Sequence, residues 1–194
     1  MIAETLTFLR KHLDEHLRVE LGGSQDDASG DKVVFLDGDK MDPISFQSGA
    51  VSLILINTEE ERILRAADPH ARVGEDGTRQ RVQPDVRLIL YILFVARFKR
   101  YESSWEHLSA ILAHMQSRRV FDAAGTPDLP AGVDRLAFEL VTLTLAEQNE
   151  LWGALKVNHH PSLLYRVRLL AYRDRRTGEA TPVGDMQMPL RRIP

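Results

Sequence analysis

The sequence predicts an α+β fold, with two or three helices packed on a mixed, mainly antiparallel sheet. Three observations carry this. Apolar residues recur with helical period near the N-terminus and again around residue 110. Residues 85–98 are apolar on both faces in their middle, as a strand in the middle of a covered sheet must be. The elements run helix, strands, helix, strand, helix, strand, without the regular alternation of a doubly wound parallel fold. The 194 residues, 43% hydrophobic, suffice for one core without staples. The expected organisation is a domain over residues 1–174 and a C-terminal arm over 175–194.

Ile2, Leu6, Leu9, Leu13 and Leu17 line one face of a first helix that stops at Gly22 and Gly23. Residues 22–49 are rich in Gly, Asp and Ser and read as a long loop holding one short strand, 33–36. Residues 51–56 are an unbroken, partly β-branched apolar run too short for a buried helix, hence a strand covered on both faces; the acidic triplet Glu59, Glu60, Glu61 follows as a solvated turn. Residues 68–84 form a second polar loop, with Gly74 and Gly77 as turn formers. The central strand comes next, with Arg87 and Arg97 where it emerges into solvent.

Ser103 and Glu106 have capping-box spacing, and Trp105, Leu108, Ile111, Leu112 and Met115 form the apolar stripe of the helix they open. Leu136, Phe138, Leu140 and Thr142 alternate as a further strand. Thr144 and Glu147 form another capping box, ahead of a short helix with Leu151, Trp152 and Leu155. The last strand, 163–172, turns Leu163, Tyr165, Val167, Leu169 and Ala171 to the core and Arg166 and Arg168 to a wet face. Beyond Asp174, Gly178, Pro182, Gly184 and Pro189 follow without periodicity, as in an arm.

With no cysteine, thiol nucleophiles, cysteine-based zinc sites and redox switching drop out. Charged residues scattered through the first helix argue against a secretory signal, and the apolar runs are too short to span a bilayer, so a cytoplasmic start and no membrane insertion are expected. The net charge of -3 is uneven: residues before Arg81 sum to -7 and the rest to +4. That split is too shallow for a nucleic-acid footprint, which needs a concentrated basic stripe.

Few residues have catalytic spacing. His12 and His16 sit at i and i+4 on one helix face, a spacing that can share a metal, but Leu13 stands where a zincin has Glu. Asp37, Asp39 and Asp42 alternate as calcium ligands do, without the rest of a twelve-residue loop. Glu59, Glu60 and Glu61, with Arg62 and Arg65 beside them, fit a salt-bridged turn better than paired general acids. No nucleophile has a recognisable spacing from His159 and His160, and no phosphate-cradling or dinucleotide loop is present. Solvated polar groups account for these residues more simply than a catalytic or metal site does, and no cofactor is expected.

Several segments, in order, resemble one family: Met1-Ile2 with Thr5-Leu6-Thr7-Phe8-Leu9; Val51-Ser52-Leu53-Ile54-Leu55-Ile56-Asn57 into Glu59-Glu60-Glu61; Pro84 before Val86-Arg87-Leu88-Ile89-Leu90-Tyr91; Tyr101 with Leu108-Ser109; Leu151-Trp152-Gly153-Ala154-Leu155; and Pro161-Ser162 with Leu164-Tyr165 and Val167-Arg168. The set resembles the tube-cap, or tail-terminator, proteins of extracellular contractile injection systems of the antifeeding-prophage type. It departs from them in Arg87, where the family usually has Leu, and in Lys156-Val157-Asn158, where it has a Gly.

The resemblance implies a tail-terminator-like fold and a structural, non-enzymatic protein: a homohexameric ring that ends the inner tube and holds the last ring of sheath. Its partners would be its own copies, the tube protein and the sheath protein, with no nucleic acid. It would be built in the cytoplasm and become part of the particle. Arg87, Arg97, Arg166, Arg168, Glu59 and Glu60 are the candidate subunit or tube contacts. The rival readings are a metal-dependent hydrolase using His12, His16 or the Asp37 cluster, and a DNA-binding adaptor using the arginines of residues 166–176.

Overall fold

Residues 2–22, 30–40, 44–61, 71–73, 79–81 and 86–172 are described by a computed structural model. The N-terminal helix α1 runs over Ile2–Leu21. Its leucine stripe fixes its orientation: Leu9, Leu13 and Leu17 are fully buried, and Ile2 and Leu6 pack at the rim of the same core. Gly22 ends it at φ +64°, a left-handed conformation that costs glycine nothing.

Strands β1 (Val33–Phe35), β2 (Ala50–Glu60), β5 (Val86–Arg97), β8 (Ser162–Tyr172), β7 (Val133–Val141) and β6 (Val120–Asp122) form one six-stranded sheet in that spatial order. Neighbours are antiparallel except β1 and β2, which pair in parallel, Val33 opposite Val51. Strands β3 (Ala71–Val73) and β4 (Arg79–Arg81) make a separate antiparallel pair. The acidic half of the sequence thus supplies one lateral flank of the sheet, β1 and β2, and the basic half supplies the rest.

On one face lie α1 and α2 (Tyr101–Ser117), and the main core fills the space beneath them: Leu90, Ile92 and Phe94 from β5, Leu136 and Phe138 from β7, Val167 and Leu169 from β8, and Ile111 and Met115 from α2. On the other face α3 (Leu145–Leu155) brings Trp152 onto Ile54, Leu93, Val95, Leu164 and the loop residue Phe46. Strand β5 is therefore buried on both sides, as its sequence requires. This is the expected α+β architecture.

Three local expectations are corrected. Strand β2 continues through Asn57 to Glu60 instead of turning at the acidic triplet, because a bulge at Ile56 lets the ladder resume with Asn57 opposite Tyr91 and Glu59 opposite Ile89. Helix α2 starts at Tyr101, with Arg100 as N-cap and no side-chain cap bond, so Ser103 and Glu106 do not form the predicted box. Its buried stripe is Ser104, His107, Leu108, Ile111 and Met115, which leaves Trp105 51% exposed and edge-on to Tyr101. His107 is buried instead and stacks on Phe98 at 4.1 Å between centroids.

The two polar loops also carry more structure than predicted. The strand expected over 33–36 is β1, with Val33 buried, but Phe46 is buried as well, and β3 and β4 pair although each is only three residues long. The box of Thr144 and Glu147 is formed as predicted: Glu147 N–H donates to Thr144 Oγ1 at 3.3 Å, and Thr144 N–H donates to Glu147 Oε2 at 2.7 Å. The arm over 175–194 lies outside the described residues.

Candidate interaction surface

Helix α3 is only 11 residues long and covers one end of its sheet face. Beyond it the positions on that face turn polar. The register sets Tyr91 of β5 beside Arg166 of β8, and Arg166 beside Glu139 of β7. Arg168 lies next along β8, and the bulge at Ile56 brings Glu59 onto this face opposite Ile89. Cross-strand neighbours on one face are close enough for long side chains to meet.

They meet as a charged network. Arg166 donates through Nη2 to Glu139 Oε2 at 2.6 Å, and Arg168 Nη2 reaches the same oxygen at 3.7 Å. Arg168 Nε lies 4.0 Å from Glu61 Oε2, a carboxylate left only 5% exposed. On β2, Glu59 accepts from Asn57 Nδ2 at 3.2 Å and from Tyr91 Oη at 3.3 Å. The hydrogen bond from Arg166 holds the Glu139 carboxyl below its ordinary range, and the same bond raises the Arg166 guanidinium. Exposed ion pairs add little stability. Their significance here is a pattern of donors and acceptors on the part of the face that no described helix covers.

Of the six candidate contacts, Arg166, Arg168 and Glu59 come together on this face. Arg87 stands at the near end of β5, its carbonyl accepting Glu61 N–H at 2.9 Å. Glu60 is exposed opposite Leu88, on the helix side. Arg97 is at the far end of the ladder, opposite Ala50, where Nη1 donates to the Phe46 carbonyl at 2.6 Å. Sequence reasoning missed Glu139, Glu61 and Tyr91 as members. The alternation of β7 does put Glu139 on the face away from Phe138, but only the β7–β8 register pairs it with Arg166.

The rival chemistry is placed too. His12 and His16 meet a third imidazole, His114 of α2, and burial lowers both His12 and His114, the latter to about 4. Among the described residues no group of three or more His, Asp or Glu side chains is arranged to hold a metal. Asp37 Oδ1 accepts Asp39 N–H in a local turn at 3.2 Å, while Asp42 lies outside the described residues. His159 and His160 pack edgewise on Trp152 and Phe46. Of the arginines in 166–176, those beyond Arg168 lie outside the described residues. Among the described residues no helix is long and apolar enough to cross a membrane.

The fold is similar to that of a sheath/tube terminator of an extracellular contractile injection system, PVC, in its extended state, with a TM-score of 0.53, 21% identity, and coverage of 98% of this chain and 64% of the other. It is also similar to the tube-terminating cap of the anti-feeding prophage, with a TM-score of 0.53, 17% identity, and coverage of 93% of this chain and 59% of the other. The chain thus spans less than two thirds of the length of either. No curated protein matches it. Residues 4–185 match the family described as the Pvc16 N-terminal domain, and the match takes in every strand and helix described above except the first two residues of α1. The chain belongs to the Pvc16 N-terminal domain family.

Proposed function

We propose that this chain caps a contractile injection system: a ring of six copies closes the end of the inner tube, stops its growth and anchors the last ring of sheath. The observation that carries the proposal is the family match over residues 4–185, joined to a fold shared with two proteins named as terminators. The role is structural rather than catalytic, and the protein works as part of the particle after assembly in the cytoplasm.

The physical form of the sheet supports it. A ring needs one heterologous contact repeated with a closing rotation, so each copy must present two different surfaces that fit each other. The sheet has two unlike flanks, the β1 edge drawn from a sequence half of charge -7 and the β6 edge from a half of charge +4. Both edge strands are three residues long, and each carries a half-exposed apolar residue, Phe35 at 41% and Val120 at 44%. Short edges pair poorly with stray strands, which suits a subunit that must stop a polymer and not extend it. The network of Arg166, Arg168 and Glu59, with Arg87 beside it, faces the tube or a neighbouring copy, and Glu60 and Arg97 contribute from the two ends of the β2–β5 ladder.

Mass measurement in solution, with the chain alone and mixed with its tube protein, tests this reading. A six-fold species that forms on tube ends is expected; a monomer that ignores tubes at micromolar concentration contradicts it.

A further inference from the structure

The surface around Trp152 belongs to none of the contacts above except through Arg97. At the C-terminal end of α3 a cleft of about 450 Å³ is lined by Arg97, Lys156, His160, Phe46 and Trp152. A second cleft, of about 480 Å³, adjoins it along Trp152, Gly153, Val157 and Asn158 and reaches Leu145, which is 85% exposed. Both volumes fall in the range of ligand sites. Among the described residues lining the two clefts there is no Asp or Glu, in a chain whose net charge is -3.

We infer that this two-part groove docks an extended segment of a partner protein that carries one carboxylate and, a few residues away, a large apolar side chain. The carboxylate lies among Arg97, Lys156 and His160, and the apolar side chain lies against Trp152 and Leu145. The inference does not depend on the ring.

Three observations direct it. The Arg97 guanidinium is fixed by its 2.6 Å bond to the Phe46 carbonyl, so its remaining donors are held in place at the cleft. Lys156 occupies a left-handed backbone conformation, φ 56°, the position after a helix that glycine adopts freely and other L residues avoid. The lysine there places a second cation at the cleft against its backbone preference. The third is the location at the carbonyl end of α3, whose dipole tempers the positive potential. A single carboxylate suits that balance better than a multiply charged phosphate. His160, lowered by burial and then by Arg97, stays neutral at neutral pH and supplies a hydrogen bond without further charge.

The test uses the full chain, labelled with nitrogen-15, and capped synthetic peptides of glutamate and leucine. The Trp152 indole N–H signal is expected to shift on titration. Replacing glutamate by glutamine in the peptide, or Arg97→Gln or Lys156→Gly in the protein, is expected to weaken binding about three- to fivefold each. Lys156→Gly also relieves the left-handed backbone, so its Tm stays equal or rises, which separates lost binding from lost folding. Equal affinity for the glutamine peptide, full binding by Lys156→Gly, or an unmoved Trp152 signal at millimolar peptide would overturn the inference.

Discussion

His12 Nε2 lies 2.9 Å from His114 Nε2, a direct hydrogen bond between the first two helices. The His16 ring stacks on the same His114 at 4.0 Å, and Phe121 meets His12 edge-on at 4.9 Å. One nitrogen of the pair must donate and the other accept, so the seam is built from imidazoles that are not both charged.

That seam makes stability fall in acid. Burial, then His16, His12 and Arg118, depress His114 to about 4, and burial with Arg118 lowers His12 against the pull of Glu15 and Asp128. An unfolded histidine titrates near 6.5, so the unfolded chain takes up protons first as the pH drops. The contribution of the neutral seam is complete above about pH 6.5 and is lost as the pH falls toward 4. After allowance for solvent screening this amounts to about 1–2 kcal/mol. Urea denaturation at pH 7.5 and pH 5 should show the drop. His114→Phe, which keeps a ring beside His16 and Phe121, should flatten it.

Asp14 ties the loop after α1 to the sheet. Its Oδ1 accepts Lys32 N–H at 2.5 Å and Val33 N–H at 3.0 Å, and its Oδ2 accepts Arg18 Nε at 2.7 Å. Asp14→Ala leaves two buried amides unbonded and should cost about 2–3 kcal/mol. Hydrogen exchange should locate the damage, with the Lys32 and Val33 amides speeding up well before those of β5.

The phase of α2 is testable by a pair of truncations. Ile111→Ala empties a fully buried site and should cost about 2–5 kcal/mol. Trp105→Ala removes an exposed indole and should change stability by only about 0.5 kcal/mol. Thermal melts of the two variants decide it, and the reverse order would mean that the helix presents Trp105 to the core.

Arg166 separates assembly from folding. Arg166→Gln removes an exposed ion pair, so stability should move by about 1 kcal/mol or less. The Glu139 carboxyl, released from its bond, should titrate at higher pH, which carboxyl-carbon NMR can follow. If the open sheet face meets tube or neighbour, the same variant should cosediment poorly with tubes while folding normally.

Strong local patterns made much of the fold legible. The leucines of α1, the two-sided apolar run of β5 and the box of Thr144 and Glu147 each define an element within a few residues of its place in the chain. Tertiary relations were not legible. Trp105 looks like core in a helical stripe, yet a serine and an imidazole took the buried positions once Phe98 stacked on His107. The bulge at Ile56 carries no signature, though it moves Glu59 from one face of the sheet to the other. Arg166 and Arg168 were recognisable as the wet side of a strand. Their partners Glu139 and Glu61 sit 27 residues back on β7 and at the end of β2, and only the register joins them.

Whether this chain ends the tube is decided by deleting its gene and measuring tube lengths and sheath attachment in particles viewed by electron microscopy. Tubes of uncontrolled length or sheaths detached from them are expected, with normal particles restored by the intact chain. Particles of normal length with firmly held sheath would contradict the capping role.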